Sequence, residues 1–268
     1  MGPSFFLMPL AWIYQYFPAP LESVEKIVPG RTTINYGGRD YIMELADALN
    51  KRGIKLYLYY HLGNKDKEFW AATTQKGKLK EREAILESVF SNWKAIVSEV
   101  GNRYGKKLAG WWFDGGMSYY PTDFEELSKV ARTGNPARMI CFNAYKFPAF
   151  TEFADYMGGE MYGLSKVDKV VDFKCTGGKE KGLFAFALPR VENDWTTWKG
   201  SPKIIQKPNF DATRMVLRAH DKGYTLCMNL MSYSDGSFHP DTVKGIIKAR
   251  KALEAKGIKR VFKPISQK

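Results

Sequence analysis

The stretch that decides the fold is Ala109 to Tyr120, AGWWFDGGMSYY. An apolar run ends abruptly in Phe113-Asp114-Gly115-Gly116. A buried strand that delivers one carboxylate at its tip, followed by glycines that let the chain turn away, is how an (α/β) barrel presents a catalytic group. The same pattern also describes an aspartate that caps the following turn. The residues around it must decide between the two.

Outward from this stretch, short apolar runs alternate with amphipathic helical patterns, as in a parallel sheet wound with crossover helices. The spacing predicts strands over 5–14, 55–61, 108–114, 138–143, 155–160, 183–188 and 224–231. Helices are expected between them. One covers 39–51 and stops at Gly53. The longest covers 80–100, with Ile85, Val89, Trp93, Ile96 and Val100 on one stripe and charges opposite. Others cover 122–132, 211–222 and 240–256, the last with Pro240 at its start and Gly257 just past its end. The expected fold class is α/β, a (β/α)8 TIM-barrel-like domain over residues 1–268 as a whole. It is incomplete, because the strands are one short of the eight a closed barrel needs. Open sheet edges invite pairing with another chain, so a homo-oligomer could cover them.

Composition narrows the function. A chain of 268 residues with 44% hydrophobic content can bury a full core. The formal net charge of +13 could attract nucleic acid, acidic glycans or an anionic surface. The basic residues are interleaved with acids, however, as in Lys65-Asp66-Lys67-Glu68 and Lys80-Glu81-Arg82-Glu83, and no nucleic-acid module accompanies them. A solvated basic surface is the expectation, with no nucleic-acid partner. Cys141, Cys175 and Cys227 show no metal spacing, and His61, His220 and His239 form no ligand motif, so neither disulfides nor zinc are indicated. No segment has the ~18 uninterrupted apolar residues of a membrane span. The opening MGPSFFLMPLAWIYQYF lacks a basic leader region and a cleavage site, so no signal peptide is recognised. As it stands the chain reads as cytoplasmic; an N-terminal truncation would make it secreted or periplasmic. Aromatic content of 15% suits stacking on pyranose faces, and suits a large core equally.

Several motifs, in order, resemble glycoside hydrolase family 29, the retaining α-L-fucosidases. Asn102-Arg103-Tyr104-Gly105 precedes Trp112-Phe113-Asp114-Gly115 at the family's spacing. Upstream, Pro29-Gly30-Arg31, Gly38-Arg39-Asp40-Tyr41 and the run from Lys51 to Tyr60 look like its helix and third strand. Leu226-Cys227-Met228-Asn229-Leu230 through Ser234-Asp235-Gly236 looks like its last strand and loop. The similarity runs from about residue 25 to 257. There are departures. The family's first strand, with a His-Trp-Gly-like segment, and its C-terminal β-sandwich have no counterpart. Where the second strand usually ends in a His-His pair, this chain offers Trp12, Tyr14 and Gln15.

The resemblance implies hydrolysis of fucosylated oligosaccharides with no cofactor, metal or membrane partner, and it makes Asp114 the nucleophile. Retaining hydrolysis needs a second carboxyl about 5–5.5 Å from the first to serve as acid and then base. Glu160, in Tyr156-Met157-Gly158-Gly159-Glu160-Met161, resembles the Gly-Asn-Glu segment of one branch of the family. Its methionine neighbours give the apolar setting that suits a proton donor. Glu192 and Asp194 are the alternatives, with helix or turn capping as their structural reading. His61 and Asn143 end strands where they could meet sugar hydroxyls. Trp112, Trp195 and Trp198 could supply an apolar platform, though Trp112 could equally fill the core. A rival reading keeps the barrel and a sugar site without turnover, because the histidines are missing.

Overall fold

The computed structural model describes residues 5–12, 14–62, 66–69, 82–115, 122–143, 149, 151–160, 183–192, 194–196 and 211–258. The chain forms two compact units that divide between Asp155 and Tyr156. Each named strand pair is parallel, as the alternation of elements demands.

The first unit is a four-stranded sheet in the order β1-β2-β3-β4. Its strands are β1 (Phe5–Ala11), β2 (Lys55–His61), β3 (Leu108–Asp114) and β4 (Met139–Phe142). Its helices are α1 (Glu22–Ile27), α2 (Tyr41–Asn50), α3 (Arg82–Tyr104) and α4 (Phe124–Ala131). The expected strand over 5–14 is shorter, and the chain leaves the sheet after Ala11. α1 was not expected from spacing; six residues are too few to show a helical period.

The two faces of the sheet differ in chemistry. From β2, Leu56, Leu58 and Tyr60 are buried among the helices, as are Trp111 and Phe113 from β3. Trp93 of the α3 stripe packs on Phe113 with ring centroids 4.9 Å apart, and Val89, Ile96 and Val100 are buried beside it. The alternate residues Tyr57, Tyr59 and His61 lie opposite Gly110, Trp112 and Asp114 of β3, because the register pairs them one to one. Gly110 makes this face possible. A Cβ there would lie 2.5–2.7 Å from atoms of the Tyr57 ring, so only glycine leaves the ring its place.

Arg138 anchors the opposite end of β3. It is 1% exposed, and its five guanidinium bonds all go to backbone oxygens: Leu108, Ala131, Thr133, Gly101 and Gly105. The cation therefore ties the end of α3, the start of β3 and the end of α4 together. Burial pushes its pKa down to about 10, which still leaves it charged at neutral pH.

The second unit holds β5 (Phe186–Ala187), α5 (Ala212–Lys222), β6 (Thr225–Leu226) and α6 (Pro240–Ala255). Here the expected strands contract. The 183–188 run keeps two residues, the 224–231 run keeps two, and 155–160 survives only as bridges at Tyr156↔Phe184 and Glu160↔Leu188. Gly159 explains part of this: it adopts φ +69°, and a Cβ on it would lie 2.3 Å from the Phe186 carbonyl oxygen. Among the described residues no helix is long and apolar enough to cross a membrane, and no cluster of possible metal ligands occurs.

Candidate active site

Asp114 is the last residue of β3, partly exposed, and its carboxylate is held by three donors. Tyr59 Oη donates to Oδ2 at 2.6 Å. Asn143 Nδ2 donates to Oδ1 at 3.0 Å, and the Gly115 N–H donates to the same oxygen at 2.7 Å. Such a set suits an anion that must keep one orientation. The turn that brings the Gly115 N–H round has φ +75°, which favours glycine.

Each donor is placed by the sheet. Tyr59 sits two residues before the end of β2, and its ring stacks on Trp112 of β3 with centroids 5.3 Å apart. Trp112 is 1% exposed, so it fills the space behind Tyr59, the role its sequence also allowed. Asn143 follows β4, and its own N–H donates to the Phe113 carbonyl at 2.7 Å, which fixes its side chain beside Asp114. His61 is the register partner of Asp114, and its Nε2 lies 3.3 Å from where a Cβ on Gly115 would be. The imidazole therefore stands against the same turn.

Tyr59 is the partner of Asp114 that sequence reading missed. Its signal was present: a tyrosine on the face opposite the apolar positions of its strand, two before a strand-end histidine. Pairing it with Asp114 required the register.

Glu160 is 7% exposed and bridges Leu188. Its alternatives are engaged in structure. Glu192 is 1% exposed; its Oε1 accepts from Thr242 Oγ1 at 2.6 Å and its Oε2 from the Met231 N–H at 3.1 Å. The buried carboxylate is thus held by a hydroxyl from the first turn of α6 and by the backbone at Met231. Asp194 Oδ1 accepts from the next N–H, that of Trp195, at 2.8 Å. Trp195 lies under the Arg190 guanidinium at 5.5 Å, and its carbonyl accepts from Asn229. Trp198 falls outside the described residues.

The sequence pattern of the α-L-fucosidase family matches residues 30–170, slightly more than half of the chain, including Asp114 and Glu160. No curated protein matches the sequence. Among solved structures, the endo-fucoidan hydrolase MfFcnA9 from glycoside hydrolase family 107 is similar with a TM-score of 0.70 at 14% identity, over 94% of this chain and 57% of that one. Another endo-fucoidan hydrolase of that family, P5AFcnA, gives 0.68 at 13% identity, over 98% and 84%. The α-L-fucosidase AlfC from Lactobacillus casei, in complex with its α-L-fucose product, gives 0.60 at 16% identity, over 95% and 76%. The chain spans about half the length of MfFcnA9 and of its relative MfFcnA4. At such identities the likeness establishes the fold, α/β and (β/α)8 TIM-barrel-like.

Proposed function

Since the chain belongs to the α-L-fucosidase family, we propose that it is a retaining glycoside hydrolase that removes terminal fucose from oligosaccharides, residues 1–268 acting as one catalytic domain. Asp114 attacks the anomeric carbon and forms a glycosyl ester as the glycosidic bond breaks. Glu160 gives its proton to the leaving oxygen. It then takes a proton from the water that hydrolyses the ester, which restores both groups. His61, Asn143 and Trp195, with Trp198, contact the sugar. No cofactor enters this scheme.

The observation that carries the proposal is the trio of donors on Asp114. A partly exposed carboxylate at a strand tip, oriented by Tyr59, Asn143 and the Gly115 N–H, suits the attacking group of such a reaction. The family's pattern covers this residue. The α-L-fucose in the AlfC structure suits the proposed substrate.

The test is hydrolysis of 4-nitrophenyl α-L-fucoside. Asp114→Ala should abolish it, and added azide should restore turnover as a glycosyl azide of inverted configuration. A wild type without turnover at any pH, yet binding fucose, would favour the rival, a sugar-binding barrel without catalysis. For the acid, Glu160→Ala should slow poor leaving groups far more than good ones; an equal loss on both would remove Glu160 from that role.

A further inference from the structure

β1 leaves the sheet one rung below the level of the proposed nucleophile. Its last residue, Ala11, pairs with Tyr60, whereas His61 is the residue that faces Asp114 across β2 and β3. At that level a side chain takes over from the strand. Gln15 Nε2 donates to the His61 carbonyl oxygen at 3.2 Å and also to the Trp12 carbonyl oxygen. One amide thus ties the tip of β2 to the segment that has just left β1.

A buried ion pair seats that amide. Arg31 Nη1 donates to Asp66 Oδ2 at 3.0 Å, with the two side chains 8% and 4% exposed. The same Asp66 accepts from the Gln15 N–H at 3.0 Å and the Phe69 N–H at 3.1 Å. The Phe17 N–H closes the segment onto the Arg31 carbonyl at 2.9 Å. The segments that follow β1 and β2 therefore meet on one ion pair, with the fully buried Gln15 between them.

The placement carries a cost. Gln15 Oε1 is buried and has no hydrogen-bond partner. Leaving a buried acceptor unpaired costs its desolvation with no bond in return. A methionine of similar length would fill the same space without that cost. A buried polar group kept half satisfied calls for an explanation other than packing.

What the amide holds supplies one. The His61 imidazole stands against the Gly115 turn, with Nε2 3.3 Å from where a Cβ on Gly115 would be, and the Gly115 N–H is a donor to Asp114. A shift of the β2 tip moves the imidazole relative to the carboxylate, and a displacement of about 1 Å in such a site costs on the order of 100-fold in rate. We propose that Gln15, seated by Asp66 and Arg31, is a positioning residue: it fixes the tip of β2 and acts through His61, whose imidazole it holds beside Asp114. This inference rests on the proposed fucosidase reading, and its experiment separates the two.

The experiment is a double-mutant cycle on 4-nitrophenyl α-L-fucoside hydrolysis. Gln15→Met removes the amide; His61→Ala removes the imidazole and keeps the carbonyl that the amide holds. Gln15→Met should lower kcat/KM about tenfold. Its thermal unfolding should stay close to that of the wild type, because the unpaired Oε1 leaves together with the lost bonds. In the His61→Ala background the same substitution should change kcat/KM by less than about twofold. An undiminished loss in that background, no loss in Gln15→Met alone, or early unfolding of Gln15→Met makes the amide a brace at most and overturns the proposal. If the wild type hydrolyses nothing, the hydrolase reading fails. Calorimetry of fucose binding then carries the same cycle: weaker binding in Gln15→Met that vanishes in His61→Ala supports the positioning role, and equal or no binding overturns it.

Discussion

Asp114 and Glu192 both have their carboxylates held by hydrogen bonds. Asp114 receives its donors from two neighbouring strands and from the turn that follows it, and it remains partly exposed. Glu192 is sealed, with a threonine hydroxyl and a backbone N–H as its partners. Hydrogen-bond donors are thus common to a partly exposed carboxylate and to a sealed one. The distinction lies in what surrounds the donors. Asp114 stays partly exposed among its donors; Glu192 is sealed against the first turn of α6.

This contrast breaks most sharply at Asp114. Asp114→Asn should lower fucoside hydrolysis by on the order of 10⁴-fold or more while thermal unfolding is nearly unchanged, measured by aryl fucoside kinetics and calorimetry. Glu192→Ala should do the reverse. It strands the Thr242 hydroxyl and the Met231 N–H, so urea unfolding should show a loss of about 2–4 kcal/mol. If Glu192→Ala instead destroyed activity in a protein of normal stability, the two carboxylates would have exchanged roles.

Tyr59→Phe sharpens the comparison from the donor side. It removes the hydroxyl that holds Asp114 Oδ2 and leaves the ring stacked on Trp112. A fall in kcat of about 10–100-fold with little change in KM is expected, since the bond orients the attacking group rather than the ground-state sugar. A change confined to KM would make Tyr59 a binding residue.

The smallest effect is read in acid. Burial works to raise the Asp66 pKa, but the N–H groups of Gln15 and Phe69 and the charge of Arg31 outweigh it and hold the carboxyl below its ordinary value. A lowered folded-state pKa stabilises the fold above the unfolded value of about 4, and that contribution is lost as the pH falls through the folded value. Unfolding free energy should therefore drop below about pH 4. In Asp66→Asn it should start lower at neutral pH and fall less steeply, as followed by urea titration at each pH.

Legibility in the sequence followed punctuation. The bounds of β2 and β3 coincide with the expected 55–61 and 108–114 because each is an uninterrupted run closed by a turn: Gly53 before β2, Asp114-Gly115 after β3. The 155–160 run was less legible. Its glycines permit a strand or a bend, and contacts with Phe186, far along the chain, make the choice. For the site, Asp114 could be read from its own neighbours. Its partners could not, because Tyr59 and Asn143 arrive through pairing register across three strands. Gln15 was legible only as a departure from histidine; that its amide is buried and half satisfied is a tertiary fact.

The five carbonyl oxygens gathered by Arg138 have a kinetic consequence. A guanidinium in that setting cannot be drawn into water without parting the end of α3 from β3 and from α4 in one event. Amides along Trp111–Phe113 and the last turns of α3 should accordingly exchange with deuterium only through global opening. The loops at the other end of these strands can then vary in sequence while the frame that carries them stays shut.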